Sequence, residues 1–130
     1  MNFWFQVNIY VSTNWERFWT SEILASKGIG TRVVNLRMLN PIDKNLIYRL
    51  CKESRLVVTI EDHFIQGGLY TIVAETLLRH NYSCSVLPIA LKDKWFKPAL
   101  LNDVLKFEEM LPNDLANKIE NYLNRVKNEY

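Results

Sequence analysis

Two features of this chain could do chemistry at short range. One is the run of ionisable side chains Glu61-Asp62-His63, and the other is the glycine pair Gly67-Gly68 just beyond it. Two carboxylates and an imidazole suit general acid–base work or metal binding. A glycine pair ahead of a helix suits an anion, because the backbone N–H groups at a helix start lack intrahelical partners. Each option has a plainer competitor. Adjacent residues on an extended chain point alternately to opposite sides, so three in a row do not converge on one ion. No nucleophile stands nearby for an acid–base pair to activate. The glycine spacing is not that of a dinucleotide fingerprint, and no P-loop, nucleophile elbow or Ser/His/Asp arrangement occurs. The favoured reading is that the acidic corner caps the helix behind it and contacts a neighbouring subunit, with the glycines allowing close backbone packing. Glu61, Asp62, His63, Gly67 and Gly68 are thus candidates for an interface or an anion site. No catalytic, cofactor-binding or metal-binding residue is assigned.

The elements that position this corner follow from periodicity. Leu56 to Ile60 is a short, β-branched apolar run of the kind buried on both faces of a parallel sheet. Leu69, Ile72, Val73, Thr76 and Leu77 recur at helical spacing, and Arg79-His80-Asn81 closes that helix. Upstream, Val7, Ile9 and Val11 alternate with Asn8 and Tyr10, which predicts a first strand within Phe3–Val11. Thr13-Asn14-Trp15-Glu16 fits a capping box. It leads a helix whose stripe is Trp15, Phe18, Trp19, Glu22, Ile23 and Ser26, stopped at Lys27-Gly28. Arg32–Leu39 is a second strand, ended by Asn40-Pro41. Asp43 caps a helix carrying Leu46, Ile47, Leu50 and Cys51. Ser83–Ile89 is a fourth strand whose Pro88 demands an edge or the strand's end. A short helix from Pro98 and a last helix from Pro112, with Leu115, Ile119, Tyr122, Leu123 and Val126 in one stripe, complete the chain. Strand–helix alternation of this kind predicts an α/β fold, a three-layer α/β/α sandwich, with residues 1–130 forming one domain.

Composition narrows the function classes. A formal net charge of +2 gives no electrostatic case for nucleic acid or an anionic membrane, and no apolar run is long enough to span a bilayer. The patch Lys92-Asp93-Lys94-Trp95-Phe96-Lys97 mixes cations with rings as single-strand binders do, but a solvated loop or a contact for a protein partner fits the balance better. Cys51 and Cys84 have no metal-ligand spacing, and with no secretory start they read as reduced thiols in the cytoplasm. Aromatic residues concentrate in Phe3–Trp19 and again at Trp95, Phe96 and Phe107. Rings in such excess either fill the core or mark contact with another chain.

The order of the pieces resembles a known family. The segment from Val33-Val34-Asn35-Leu36-Arg37 to Asn40-Pro41-Ile42-Asp43 is similar to one of the transketolase C-terminal domain. Val57-Val58-Thr59-Ile60-Glu61-Asp62-His63 with Gly67-Gly68, continued by Ala74-Glu75, is similar to that family's second motif. Trp95-Phe96-Lys97-Pro98 with Leu100-Leu101 resembles its closing substrate-side loop. The likeness runs from about Val7 to Leu105, and the same domain occurs in deoxyxylulose-phosphate synthases and the β subunits of 2-oxo acid dehydrogenases. Where family members carry Gly after the first strand, this chain has Ser12-Thr13-Asn14.

The resemblance implies a mostly parallel five-stranded sheet with one antiparallel strand, the fifth falling near Leu91. It implies ketol transfer between sugar phosphates by an enzyme that uses thiamine diphosphate and magnesium, in which this third domain supports domain and subunit contacts. The Gly-Asp-Gly diphosphate motif and the domain carrying the activating glutamate do not occur in this sequence. The expected chain therefore binds no cofactor itself and works as a homodimer or with a partner subunit carrying the thiamine diphosphate domains. The alternative is a stand-alone module binding a small anion or regulatory ligand in the crevice beside Thr13, Asn40 and Glu61-Asp62-His63.

Overall fold

A computed structural model of the chain describes residues 7–11, 16–92 and 97–129. The proposed capping box at Thr13, the Ser12-Thr13-Asn14 corner, the rings Phe3, Trp4, Phe5 and Trp15, and the Trp95-Phe96 segment lie outside the described residues.

Four parallel strands are described: β1 (Val7–Val11), β2 (Thr31–Asn35), β3 (Leu56–Phe64) and β4 (Val86–Leu91), in the order β2-β1-β3-β4. Five helices accompany them: α1 (Glu16–Ser26), α2 (Lys44–Lys52), α3 (Leu69–Arg79), α4 (Leu101–Phe107) and α5 (Pro112–Asn128). The sheet therefore has four strands rather than five among the described residues. Leu91 ends β4, opposite Phe64, and does not begin a separate antiparallel strand.

The three layers follow from strand alternation. In β1, Val7, Ile9 and Val11 enter one apolar core with Leu56, Val58 and Ile60 of β3, and helices α1 and α5 cover it through Leu24, Leu115, Ile119 and Leu123. Tyr10 and Val57 point the other way, into a second core that α2 and α3 close with Ile47, Leu50, Leu69, Val73 and Leu77. Asn8 and Tyr10 thus face helices, not water. The Asn8 amide donates to the Leu50 carbonyl at 2.6 Å and the Tyr10 hydroxyl to the Ile47 carbonyl at 3.4 Å. These contacts give the Asn8 amide N–H and the Tyr10 hydroxyl partners that burial demands, while the Asn8 Oδ1 is buried without a hydrogen bond.

Local signals set several boundaries as read. Asp43 accepts from the Leu46 N–H at 2.9 Å, and Gly28 takes the left-handed backbone (φ +75°) that stops α1. Pro112 opens α5, where its missing donor costs nothing. Pro88 stands in edge strand β4, which runs on to Leu91.

Two expectations are corrected. The aromatic stripe of α1 faces outward: Phe18 and Trp19 are 60% and 53% exposed, while Thr20 and Leu24 are buried. Each helical residue turns the chain by about 100°, so the two overlapping stripes differ by one position. The stripe that buries Leu24 also lets Ser21 and Thr31 hydroxyls meet at 2.9 Å. The second strand stops at Asn35, well short of Leu39, and Met38 beyond it is 59% exposed.

Candidate functional site

The carboxyl edge of β3 differs from the corner predicted for it. The strand does not end at Ile60 but continues through Glu61, Asp62 and His63 to Phe64. Ile60 pairs with Val11 of β1 on one side and Ile89 of β4 on the other, so Glu61 is the first residue beyond the fully paired sheet. In the strand order, β1 and β3 are the neighbours from which the chain departs to opposite sides, the place where open α/β sheets form a crevice.

The three ionisable side chains separate there. Glu61 is 2% exposed and turns inward to the start of α3. Its two carboxylate oxygens accept from the Leu69 and Tyr70 N–H groups, each at 3.0 Å. Helix α3 gets no side-chain cap from Gly68, so Glu61, seven residues upstream of that position, supplies the capping carboxylate. Asp62 is half-buried and His63 exposed. The His63 ring lies edge-on to Phe64, with centroids 5.8 Å apart, and its Nδ1 accepts from the Phe64 N–H at 2.6 Å.

The glycines serve the same contact in different ways. Gly67 has φ +75° and needs a residue that tolerates it. Gly68 has ordinary extended backbone, but a Cβ there would stand 1.9 Å from a Glu61 carboxylate oxygen and 3.1 Å from the Phe64 carbonyl oxygen. Thr71 ties the turn down, accepting from the Gly67 N–H at 3.0 Å. The Ile65 N–H bonds to the Leu91 carbonyl at 3.2 Å and fastens the corner to β4.

Neither a diphosphate nor its magnesium fits this corner. The N–H donors that would receive a phosphate are taken by Glu61, and no group of three metal-ligating side chains converges among the described residues. Asn40 lines a separate cavity of about 370 Å³ with Lys44, Glu75 and Arg79, at which neither Glu61 nor His63 appears. Thr13 lies outside the described residues.

The profile described as "Transketolase, C-terminal domain" matches residues 20–112, most of the chain. This chain belongs to that family. Its relatives include 1-deoxy-D-xylulose-5-phosphate synthases: one from a Synechococcus strain, 40% identical over 79 residues, covers 61% of this chain and 12% of that protein. Another Synechococcus synthase is 30% identical over 118 residues, covering 91% and 18% respectively. That of Dictyoglomus turgidum is 33% identical over 108 residues, covering 81% and 17%. The chain therefore spans less than a fifth of the length of these relatives. Among solved structures, "Split gene transketolase, inactive beta4 tetramer" superposes with a TM-score of 0.80 at 26% identity, over 92% of this chain and 39% of that one.

Sequence reasoning missed two neighbourhoods of this transketolase C-terminal domain. Tyr48 stacks on His80 at 4.2 Å with Tyr82 edge-on at 5.6 Å, and the Tyr10 hydroxyl stands 3.9 Å from the buried Cys51 sulfur. Both join residues far apart in sequence, and no local pattern announces them.

Proposed function

We propose that this chain is the third, non-catalytic domain of a transketolase-type enzyme that transfers ketol units between sugar phosphates. Thiamine diphosphate and magnesium would be held by domains this chain does not contain. One observation carries the reading: the buried acidic group at the carboxyl edge is committed to a helix start. A carboxylate bonded to two backbone donors is a structural cap, not a free base or a metal ligand. What then faces outward is Asp62, His63, Phe64 and the Gly67 turn, and this rim is the contact surface for the cofactor-bearing domains. The split-gene tetramer named above supports assembly from separate chains.

The same reading includes self-association. Phe18 and Trp19 on α1 and Phe107 on α4 expose large rings, which suits a homodimer. Free Cys51 and Cys84 accord with a reducing setting such as the cytoplasm. No described helix is long and apolar enough to cross a membrane.

The test is reconstitution. A transketolase or deoxyxylulose-phosphate synthase polypeptide lacking its third domain is mixed with this chain, and ketol transfer and sedimentation are measured. Assembly with recovered activity, weakened by His63→Ala with Phe64→Ala, is the expected result. No association with either polypeptide would overturn the proposal. Light scattering on the chain alone is expected to give the mass of a dimer, and a monomer mass at high concentration would refute that part.

A further inference from the structure

The amino-terminal edge of the sheet, opposite the rim described above, holds a cavity of about 540 Å³. Three segments wall it: Ser54 and Arg55 between α2 and β3, residues 82–85 between α3 and β4, and Lys127 in the last turn of α5. Backbone bonds hold these walls in place without a ligand. The Val57 N–H donates to the Ser85 carbonyl and the Tyr82 N–H to the Leu77 carbonyl, each at 3.0 Å. The Tyr82 ring also stands edge-on to Tyr48 at 5.6 Å. A pre-formed cavity of this size is that of a small-molecule site.

We propose that this cavity binds a small phosphorylated polyol, of the sugar-phosphate class, with Arg55 and Lys127 on the phosphate and the serine hydroxyls on the polyol. Charge selects the anion. Arg55 and Lys127 both line the cavity, and no carboxylate does among the described residues. Glu53, the acid nearest Arg55 in sequence, is engaged by Arg32 at 2.9 Å. A guanidinium offers a phosphate two parallel donors, and an ammonium adds a compact charge.

Hydroxyls select what the phosphate carries. Ser83, Ser85 and Tyr82 can each donate or accept, while Ser54 donates to the Leu50 carbonyl at 3.4 Å and so offers its oxygen as an acceptor. Lys127 also brings the end of α5 to the cavity, where the last carbonyls lack intrahelical partners and favour donors over anions. A bare phosphate would meet the two cations and be opposed by that helix end. The hydroxyls of a polyol suit the serines and acceptors of this kind together. The site stands at the other end of the strands from Glu61 and does not depend on the assembly proposed above.

The isotopically labelled full chain is titrated with glucose 6-phosphate, and separately with inorganic phosphate and glucose, while amide NMR shifts are followed. The expected result is saturable shifts at residues 82–85 and at Lys127 with glucose 6-phosphate, weaker binding of inorganic phosphate and none of glucose. Lys127→Glu, at an exposed position, is expected to weaken binding about tenfold or more by replacing a charge-assisted donor with a repelling carboxylate. Ser83→Asp, also exposed, should act in the same direction. Unchanged amide shifts elsewhere report that both variants keep the fold. The absence of saturable shifts at these residues, inorganic phosphate binding as tightly as the ester, or an affinity unaltered in both variants would each overturn the proposal.

Discussion

Substituting Gly68 by alanine tests the link between the glycine pair and the acidic corner. The backbone at Gly68 (φ −95°, ψ −154°) is one that alanine adopts, so the conformation carries little strain. The added methyl would instead fall 1.9 Å from a Glu61 oxygen and 2.8 Å from its carboxyl carbon. The Glu61 side chain must swing away, and in doing so it forfeits its bonds to Leu69 and Tyr70. Hydrogen bonds to a charged group contribute about 1.5–3 kcal/mol each. Alanine returns about 0.4–1 kcal/mol through the unfolded chain. A net loss of about 3 kcal/mol is expected, so with a urea slope of about 1–3 kcal/mol per molar the unfolding midpoint falls by roughly 1 M or more. Gly67→Ala is the control. It meets open space but holds φ +75°, and it is expected to cost only about 1–2 kcal/mol. In a Glu61→Gln background, which weakens the bonds at stake, the Gly68→Ala penalty shrinks. A Gly68→Ala midpoint indistinguishable from that of the unaltered chain, or full additivity with Glu61→Gln, would refute the reasoning.

Two further predictions probe the layers. Leu24→Ala removes a fully buried side chain and is expected to cost about 2–5 kcal/mol, whereas Phe18→Ala and Trp19→Ala, measured on dilute chain, change stability by about 0.5 kcal/mol or less; the reverse ranking in denaturant titrations would restore the aromatic stripe as the inner face. Burial first, and then the neighbouring Cys51, hold the Tyr10 phenol protonated far above its ordinary range. Its stabilising effect is therefore complete below the unfolded value of about 10 and declines as pH rises above it. Tyr10→Phe should flatten this alkaline decline in unfolding free energy, and an unchanged slope would count against it.

How much of this was legible depends on whether the cause was local. Asp43, Gly28 and Pro112 act within a few residues of their own positions, and each boundary they marked is observed. The strand–helix alternation was readable because β1 and the first part of β3 are buried on both faces. The inner face of α1 was not, since the stripes through Phe18 and Thr20 share Ile23 and only the docked sheet chooses between them. Nor was the end of β3, because Glu61 looks like a charge that must terminate a buried strand unless its partners at Leu69 and Tyr70 are known. The acid and the glycines were each visible as candidates. Their relation, a carboxylate occupying the space where a Gly68 side chain would be, exists only after the turn has formed.

The central claim is that a structural carboxylate occupies the carboxyl edge and that the coenzyme is held elsewhere in the assembly. Calorimetric titration of thiamine diphosphate with magnesium, first into this chain and then into its complex with a polypeptide bearing the cofactor domains, tests it most directly. The account predicts no binding heat from the chain alone and saturable binding by the complex; saturable binding by the isolated chain would contradict it.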